Sequence, residues 1–119
     1  MMLPAMRRVF LARAVVDMRK SYDGLVALVM GQLQCDPLSG DGYVFVGRDR
    51  RRLKILVWGG DGFWIFMTRL SKGRFVLPEP ALDRQATERV QLDAATWGAL
   101  LSGVEMTVRR RSPRYRRGN

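Results

Sequence analysis

The sequence predicts an α+β fold: one domain with an antiparallel sheet of about five strands and two helices. Three observations predict it. Segments rich in β-branched and aromatic residues recur at Val9–Val16, Tyr43–Gly47, Leu53–Trp58 and Phe63–Leu70 and read as strands, with Glu88–Leu92 as a last one. Two segments, about Ser21–Leu33 and Asp93–Leu101, place apolar residues at helical spacing instead. Between two of the strands, Gly59-Gly60-Asp61-Gly62 has the composition of a tight hairpin turn.

The elements follow in order. Val9–Val16 is apolar and β-branched, interrupted by Arg13. Asp17 or Ser21 can cap the first helix by accepting a bond from the free N–H groups of its first turn. Leu25, Leu28, Val29 and Leu33 form one face of that helix, Tyr22 extends it, and Gly31 lies near its end. Asp36-Pro37-Leu38-Ser39-Gly40 is turn chemistry, because proline fixes its own φ and glycine permits a positive one. A meander of three strands comes next. With Gly60-Asp61 at the tip of a type II′ turn, Trp58 faces Phe63, Leu56 faces Ile65 and Lys54 faces Met67 on one side of the ribbon. Val57 then faces Trp64, and Ile55 faces Phe66, on the other. Both sides are apolar, so either helices cover both faces or a protein partner covers one. Pro78-Glu79-Pro80 opens a connector to the last strand, Asp93 caps a helix carrying Trp97, Leu100 and Leu101, and Val104–Val108 adds a short strand or leads into the tail. Residues 1–108 form the domain, and 109–119 an arginine-rich tail without a core-forming pattern, expected to be disordered when free.

Composition narrows the chemistry. A chain of 119 residues, 47% hydrophobic, buries about two-thirds of its unfolded surface, enough for one core without staples. Histidine is absent and Cys35 is the single cysteine, so a Ser-His-Asp or Cys-His arrangement cannot form and no structural zinc or other metal site is expected. The lone cysteine agrees with a reducing cytoplasm, the expected location. Arg7–Ala12 looks superficially like a signal peptide, but Arg13 and Asp17 cut its apolar run short, and no run of 18 apolar residues predicts a membrane span. Charge is uneven: residues 1–80 carry 13 Lys/Arg against 7 Asp/Glu, residues 81–108 carry 2 against 4, and residues 109–119 carry six arginines and no acid. A basic body with an arginine-dense end suggests a polyanionic partner, most plausibly nucleic acid.

Several groups carry candidate chemistry, each beside a structural alternative. Asp17, Arg19, Lys20 and Asp23 before Gly24 could hold a phosphate at a helix start, or could be capping and ion-pairing residues with Gly24 admitting close packing. Lys54, Arg69, Lys72 and Arg74 could line a cationic groove for a phosphate backbone, or serve as solvated strand ends and partners of Asp17 and Asp23. Arg48, Arg50, Arg51 and Arg52 make a hairpin tip that could track phosphates; a solvated loop guarding a sheet edge has the same composition. Arg109, Arg110, Arg111, Arg114, Arg116 and Arg117, interleaved with Tyr115, could neutralise phosphates while the tyrosine stacks on a base, or could serve only solubility. Trp58, Phe63 and Trp64 flank the glycine turn as core aromatics or as a base-stacking surface. Asp17, Asp23 and Asp61 are the only candidates for a metal-dependent nuclease, and their spacing does not select for one.

The series of motifs is itself specific. Asp17-Met18-Arg19-Lys20 with Asp23-Gly24-Leu25, then Asp36-Pro37 with Ser39-Gly40, Lys54-Ile55-Leu56 with Trp58, Gly60-Asp61-Gly62, and Arg69-Leu70 with Gly73-Arg74-Phe75 follow one another over about residues 4 to 105. In that order they resemble the accessory-protein family encoded by the second reading frame of insertion sequence 66 transposons (TnpB). Its motif residues here are Asp17, Arg19, Lys20, Asp23, Gly24, Trp58, Gly60, Asp61 and Gly62. The chain departs from the pattern at Leu77, where a tryptophan usually precedes the proline, at Gly59 and Thr68, usually more polar or basic, and after Glu105, where the usual Trp-Arg-Arg-Pro ending is missing. The resemblance implies a non-enzymatic helper of transposition without a cofactor, a separate larger transposase carrying the cutting and joining chemistry. The expected partners are DNA, at transposon ends or target, and also the transposase, another element-encoded accessory protein or a second copy of the chain, with no membrane. The expected mode is adhesion through a basic surface and an apolar sheet face; a pure protein adaptor is the alternative.

Overall fold

A computed structural model describes residues 5–82 and 88–102. The expected strand at 104–108 and the arginine tail lie outside the described residues. Strands β1 (Val9–Ala12), β2 (Gly42–Val46), β3 (Arg52–Trp58), β4 (Phe63–Arg69) and β5 (Arg89–Leu92) form one five-stranded sheet in the order β4-β3-β2-β1-β5. Helix α1 (Tyr22–Gly31) lies between β1 and β2, the four-residue α2 (Glu79–Leu82) follows β4, and α3 (Ala94–Leu101) follows β5. The α+β class and the five strands are as the sequence predicts. The sheet is mixed, however: β1 and β2 run parallel, Phe10 beside Tyr43, and the other three pairings are antiparallel. The long connection through α1 makes this possible, since parallel neighbours need a crossover and a tight hairpin cannot supply one. The one-turn α2 has no counterpart in the sequence reading.

The β3–β4 register is the expected one, with Trp58 opposite Phe63, Leu56 opposite Ile65 and Lys54 opposite Met67. Gly59 N–H donates to the Gly62 carbonyl at 2.8 Å. Gly60 has φ +103°, the left-handed value that a type II′ turn requires at its first central position. The predicted first strand is cut short. Beyond Ala12 only Arg13 N–H continues the ladder, to the Glu88 carbonyl; the chain then turns so that Val16 N–H reaches the Val46 carbonyl at 3.0 Å.

The two apolar faces of the sheet are both covered by the chain itself. On one side Leu25, Val29 and Leu33 of the α1 segment pack on Phe10, Tyr43, Phe45 and Leu56. On the other, Phe75, Leu77, Ala81 and Leu100 pack on Leu11, Val44, Leu53, Ile55 and Val57. What stays bare is the edge: on β4, Trp64 is 49% and Met67 61% exposed. Trp58 and Phe63 are half-buried in an edge-to-face pair with centroids 4.9 Å apart, Phe63 lying against the α1-side core, whereas Trp64 stacks on Phe66 at the rim.

Asp93 caps α3 as expected, its carboxylate accepting from Thr96 N–H at 2.7 Å. That bond holds its carboxyl below the usual carboxylate range. Asp93→Ala should lower the melting temperature by roughly 5 °C, and Asp93→Asn by less, because asparagine also caps. Thermal unfolding followed by circular dichroism checks this. Ser21 occupies the corresponding position before α1 but makes no side-chain cap bond. Asp17, the other expected cap, is engaged elsewhere.

Candidate nucleic-acid interface

Antiparallel pairing carries the basic residues of three separate segments to one end of the sheet. The β2–β3 hairpin closes through Gly47 N–H to the Arg52 carbonyl at 3.0 Å and Arg50 N–H to the Gly47 carbonyl at 2.9 Å. Arg50 takes φ +58° in this turn. Asp49 organises the loop by accepting from Arg51 N–H at 2.9 Å and pairing with Arg52 at 3.2 Å. These bonds, led by the one from Arg51 N–H, hold the Asp49 carboxyl below its ordinary range, so the loop stays zwitterionic with a cationic excess. The chain after β4 then docks on the loop. Leu70 N–H reaches the Arg51 carbonyl at 2.8 Å, Phe75 N–H the Arg50 carbonyl at 2.6 Å, and the Arg51 side chain the Ser71 carbonyl at 3.4 Å. Arg69 stands directly opposite Arg52 in the ladder. Arg48, Arg50, Arg51, Arg52, Arg69, Lys72 and Arg74 therefore share one end. Like charges opposed across a ladder are unfavourable, so this arrangement concentrates positive potential without helping the fold.

The Asp17–Lys20 turn belongs to the same end. Met18 is buried and seats the turn against Gly47, where a Cβ would come within 2.7 Å of the Met18 Cγ. Gly47→Ala should therefore unseat Met18 and cost about 1–2 kcal/mol, measurable as a lower urea midpoint. Asp17 binds its own neighbour: Arg19 N–H at 2.9 Å and the Arg19 guanidinium, the shortest contact being 2.8 Å. That hydrogen-bonded pair pulls the Asp17 carboxyl far below its ordinary value and raises Arg19. Between this turn and the hairpin loop lies a groove of about 350 Å³ lined by Val15, Val16, Asp17, Met18, Arg19, Arg48 and Arg52.

Other expected residues fall elsewhere. Lys54 donates to the Lys20 carbonyl at 2.7 Å, a strut from β3 to the start of α1; neither it nor Arg69 is the partner of Asp17. Gly24 sits against the aliphatic stem of Lys20, where a Cβ would meet that side chain at 3.2 Å. Asp23 lies exposed in the first turn of α1. Trp58, Gly60, Asp61 and Gly62 belong to the other end of β3, about 20 Å from Arg52 across a seven-residue strand. Asp17 and Asp61 are thus far apart, and among the described residues no group of three or more His, Cys, Asp or Glu side chains could hold a metal ion. The arginines of the tail lie outside the described residues.

The sequence reading missed a polar network at the opposite end of β2. Asp41 is buried and accepts from Arg8 Nε and Nη2 at 3.2 and 3.0 Å and from Ser39 Oγ at 2.9 Å. Tyr43 OH lies 3.0 Å from Ser39 Oγ and donates to the Asp36 carbonyl at 3.0 Å. This lattice fixes the 36–40 turn. An acid two residues after Ser39, directly before the apolar strand Gly42–Val46, was the available signal.

Comparison with known proteins gives the family. The family described as IS66 Orf2 like protein matches residues 7–111. The chain belongs to that family. The match spans both ends of the sheet and the cationic loop. The chain is 32% identical over 106 residues to the uncharacterized protein y4jC of Sinorhizobium fredii (strain NBRC 101917 / NGR234), covering 89% of this chain and 86% of that protein. It is 36% identical over 98 residues to the uncharacterized protein y4hO of the same strain, covering 82% and 81%. No solved structure matches the chain significantly. Membership of the IS66 Orf2-like family gives the chain an accessory role in transposition, in a family not known for catalysis. No helix among the described residues is long and apolar enough to cross a membrane.

Proposed function

We propose that this IS66 Orf2-like protein assists transposition without catalysing it, by gripping DNA through the cationic end of its sheet. The observation that carries the reading is the gathering of Arg48, Arg50, Arg51, Arg52, Arg69, Lys72 and Arg74, from two loops and two strands, at one end of the sheet, where Arg48 and Arg52 line a groove with Arg19. The acids at that end, Asp17 and Asp49, are engaged by Arg19, Arg51 and Arg52, which leaves a net cationic surface. Phosphate contacts from such a surface supply affinity without sequence readout. The tail arginines extend the footprint. A mobility-shift titration of duplex DNA across salt tests the reading. Binding should weaken steeply with salt, and removing residues 109–119 should make the dependence shallower. Binding unaffected by salt, or none at low salt, overturns it.

The bare part of the apolar sheet is narrower than the sequence suggests. It consists of the β4 edge with Trp64 and Met67, and this edge is our candidate surface for contact with the transposase or a second copy.

A further inference from the structure

We propose that the groove between the Val15–Arg19 turn and the Arg48–Arg52 loop receives one unpaired nucleotide of single-stranded DNA, its base lying on the guanidinium plane of Arg19 and its flanking phosphates on Arg48 and Arg52. This deepens the DNA reading above and rests on it. Size is the first argument. At about 350 Å³ the groove has the volume of a small-molecule site, and a duplex is far too wide to enter it.

The lining is the second argument. A site for a bare anion would be cationic throughout, yet here Asp17 and the exposed Val15 share the wall with Arg19, Arg48 and Arg52, above the buried Val16 and Met18. A nucleotide matches that mixture, because it joins a charged phosphate to an uncharged aromatic ring.

The state of the arginines is the third. Asp17 accepts from both Nε and Nη2 of Arg19, at 3.1 and 2.8 Å, which fixes the plane of the guanidinium. The Arg19 side chain is 91% exposed, so its flat face is open to solvent. A planar cation held this way is a stacking surface for a base, a property lysine does not share. Arg48 has no ion-pair partner among the described residues, whereas Arg52 is partly engaged by Asp49 at 3.2 Å. Arg48 is thus the stronger phosphate ligand. Asp17 is a positioning residue: it holds Arg19 and does not itself touch the nucleotide.

Fluorescence anisotropy on the full chain tests the proposal with two probes at one salt concentration: a blunt duplex, and the same duplex carrying a short single-stranded overhang. The overhang should bind roughly tenfold more tightly. Arg19→Lys, which keeps the charge and removes the plane, should abolish that preference, read as the ratio of the two affinities. Asp17→Asn should weaken the preference in the same direction. Arg51→Ala, outside the groove lining, should weaken both probes equally. Equal binding of the two probes by the unmodified protein, or a preference that survives Arg19→Lys, overturns the groove assignment and leaves the DNA reading standing. Failure to bind either probe overturns both.

Discussion

Replacing Arg48, Arg51 and Arg52 together by alanine will weaken duplex DNA binding by tens of fold at moderate salt, and will make the dependence of log K on log salt shallower by about 2.7, at roughly 0.9 per lost phosphate contact. The fold should survive the change. The loop is shaped by backbone bonds, from Gly47 N–H to the Arg52 carbonyl and from Phe75 N–H to the Arg50 carbonyl, and these do not need the guanidinium groups. Arg50 is left in place because it holds the left-handed turn position. The opposed pair Arg52 and Arg69 gives the variant a second signature. Removing one of two facing cations relieves repulsion, so the urea midpoint should hold or rise slightly at low salt. Arg7→Ala is the control. Its guanidinium contacts the Ser39 carbonyl at the far end of β2, so affinity should change by less than about twofold. Fluorescence anisotropy across salt measures all of these, and a uniform loss in the Arg7 variant would mean that charge acts globally rather than from this end.

Asp41→Asn is expected to give a large stability loss, about 2–3 kcal/mol at neutral pH. The amide preserves the shape of the carboxylate but turns an N–H₂ group towards donors. Arg8 presents two N–H groups and Ser39 its hydroxyl, and one acceptor oxygen cannot satisfy them all. Burial pushes the Asp41 carboxyl up, while the bonds from Arg8 and Ser39 and the nearby arginine charges outweigh it and hold the group below its ordinary value. The sign follows. A carboxyl depressed in the native state is protonated first in the unfolded chain, so its contribution is present above the unfolded value, about 3.9, and is lost as pH falls through the native one. The gap in urea midpoint between the unmodified protein and Asp41→Asn should therefore be widest near pH 7 and shrink towards pH 3. A gap that stays constant with pH would show that packing, not charge, causes the loss.

Much of the fold was legible because its signals are local. Gly60-Asp61 between apolar strands dictates a turn type, the turn dictates a register, and Trp58, Leu56 and Lys54 fall opposite Phe63, Ile65 and Met67 as a consequence. Asp93 before an apolar helix is a cap by the same kind of reasoning. The parallel seating of β1 beside β2 was not legible. Strand order depends on how distant segments pack, and nothing within Val9–Ala12 distinguishes a neighbour of β2 from an edge strand. The reading that both apolar faces need a cover was sound, and α1 on one side with Phe75, Leu77, Ala81 and Leu100 on the other resolves it.

The site was legible in composition and not in assembly. Each basic segment could be named from the sequence, yet Lys54 proves to be a strut to the Lys20 carbonyl, while Arg19, read only as part of a helix start, reaches the same groove as Arg48 and Arg52. The agent of that convergence is Met18, whose burial against Gly47 brings the Asp17–Lys20 turn to the loop. A methionine between charged residues carries no local sign of such a role. Asp41 was passed over for a similar reason, since a single acid after a Pro-Gly turn looks solvated until the fold closes over it.

The most direct test of DNA gripping by the cationic end is a nuclear magnetic resonance titration of labelled protein with a short duplex. Backbone and arginine side-chain shifts should move at 17–19, 48–52 and 69–74, and the movement should reverse on adding salt. Shifts confined to Trp64 and Met67 on β4, or to β5 and α3, with the loop arginines unmoved, would contradict it.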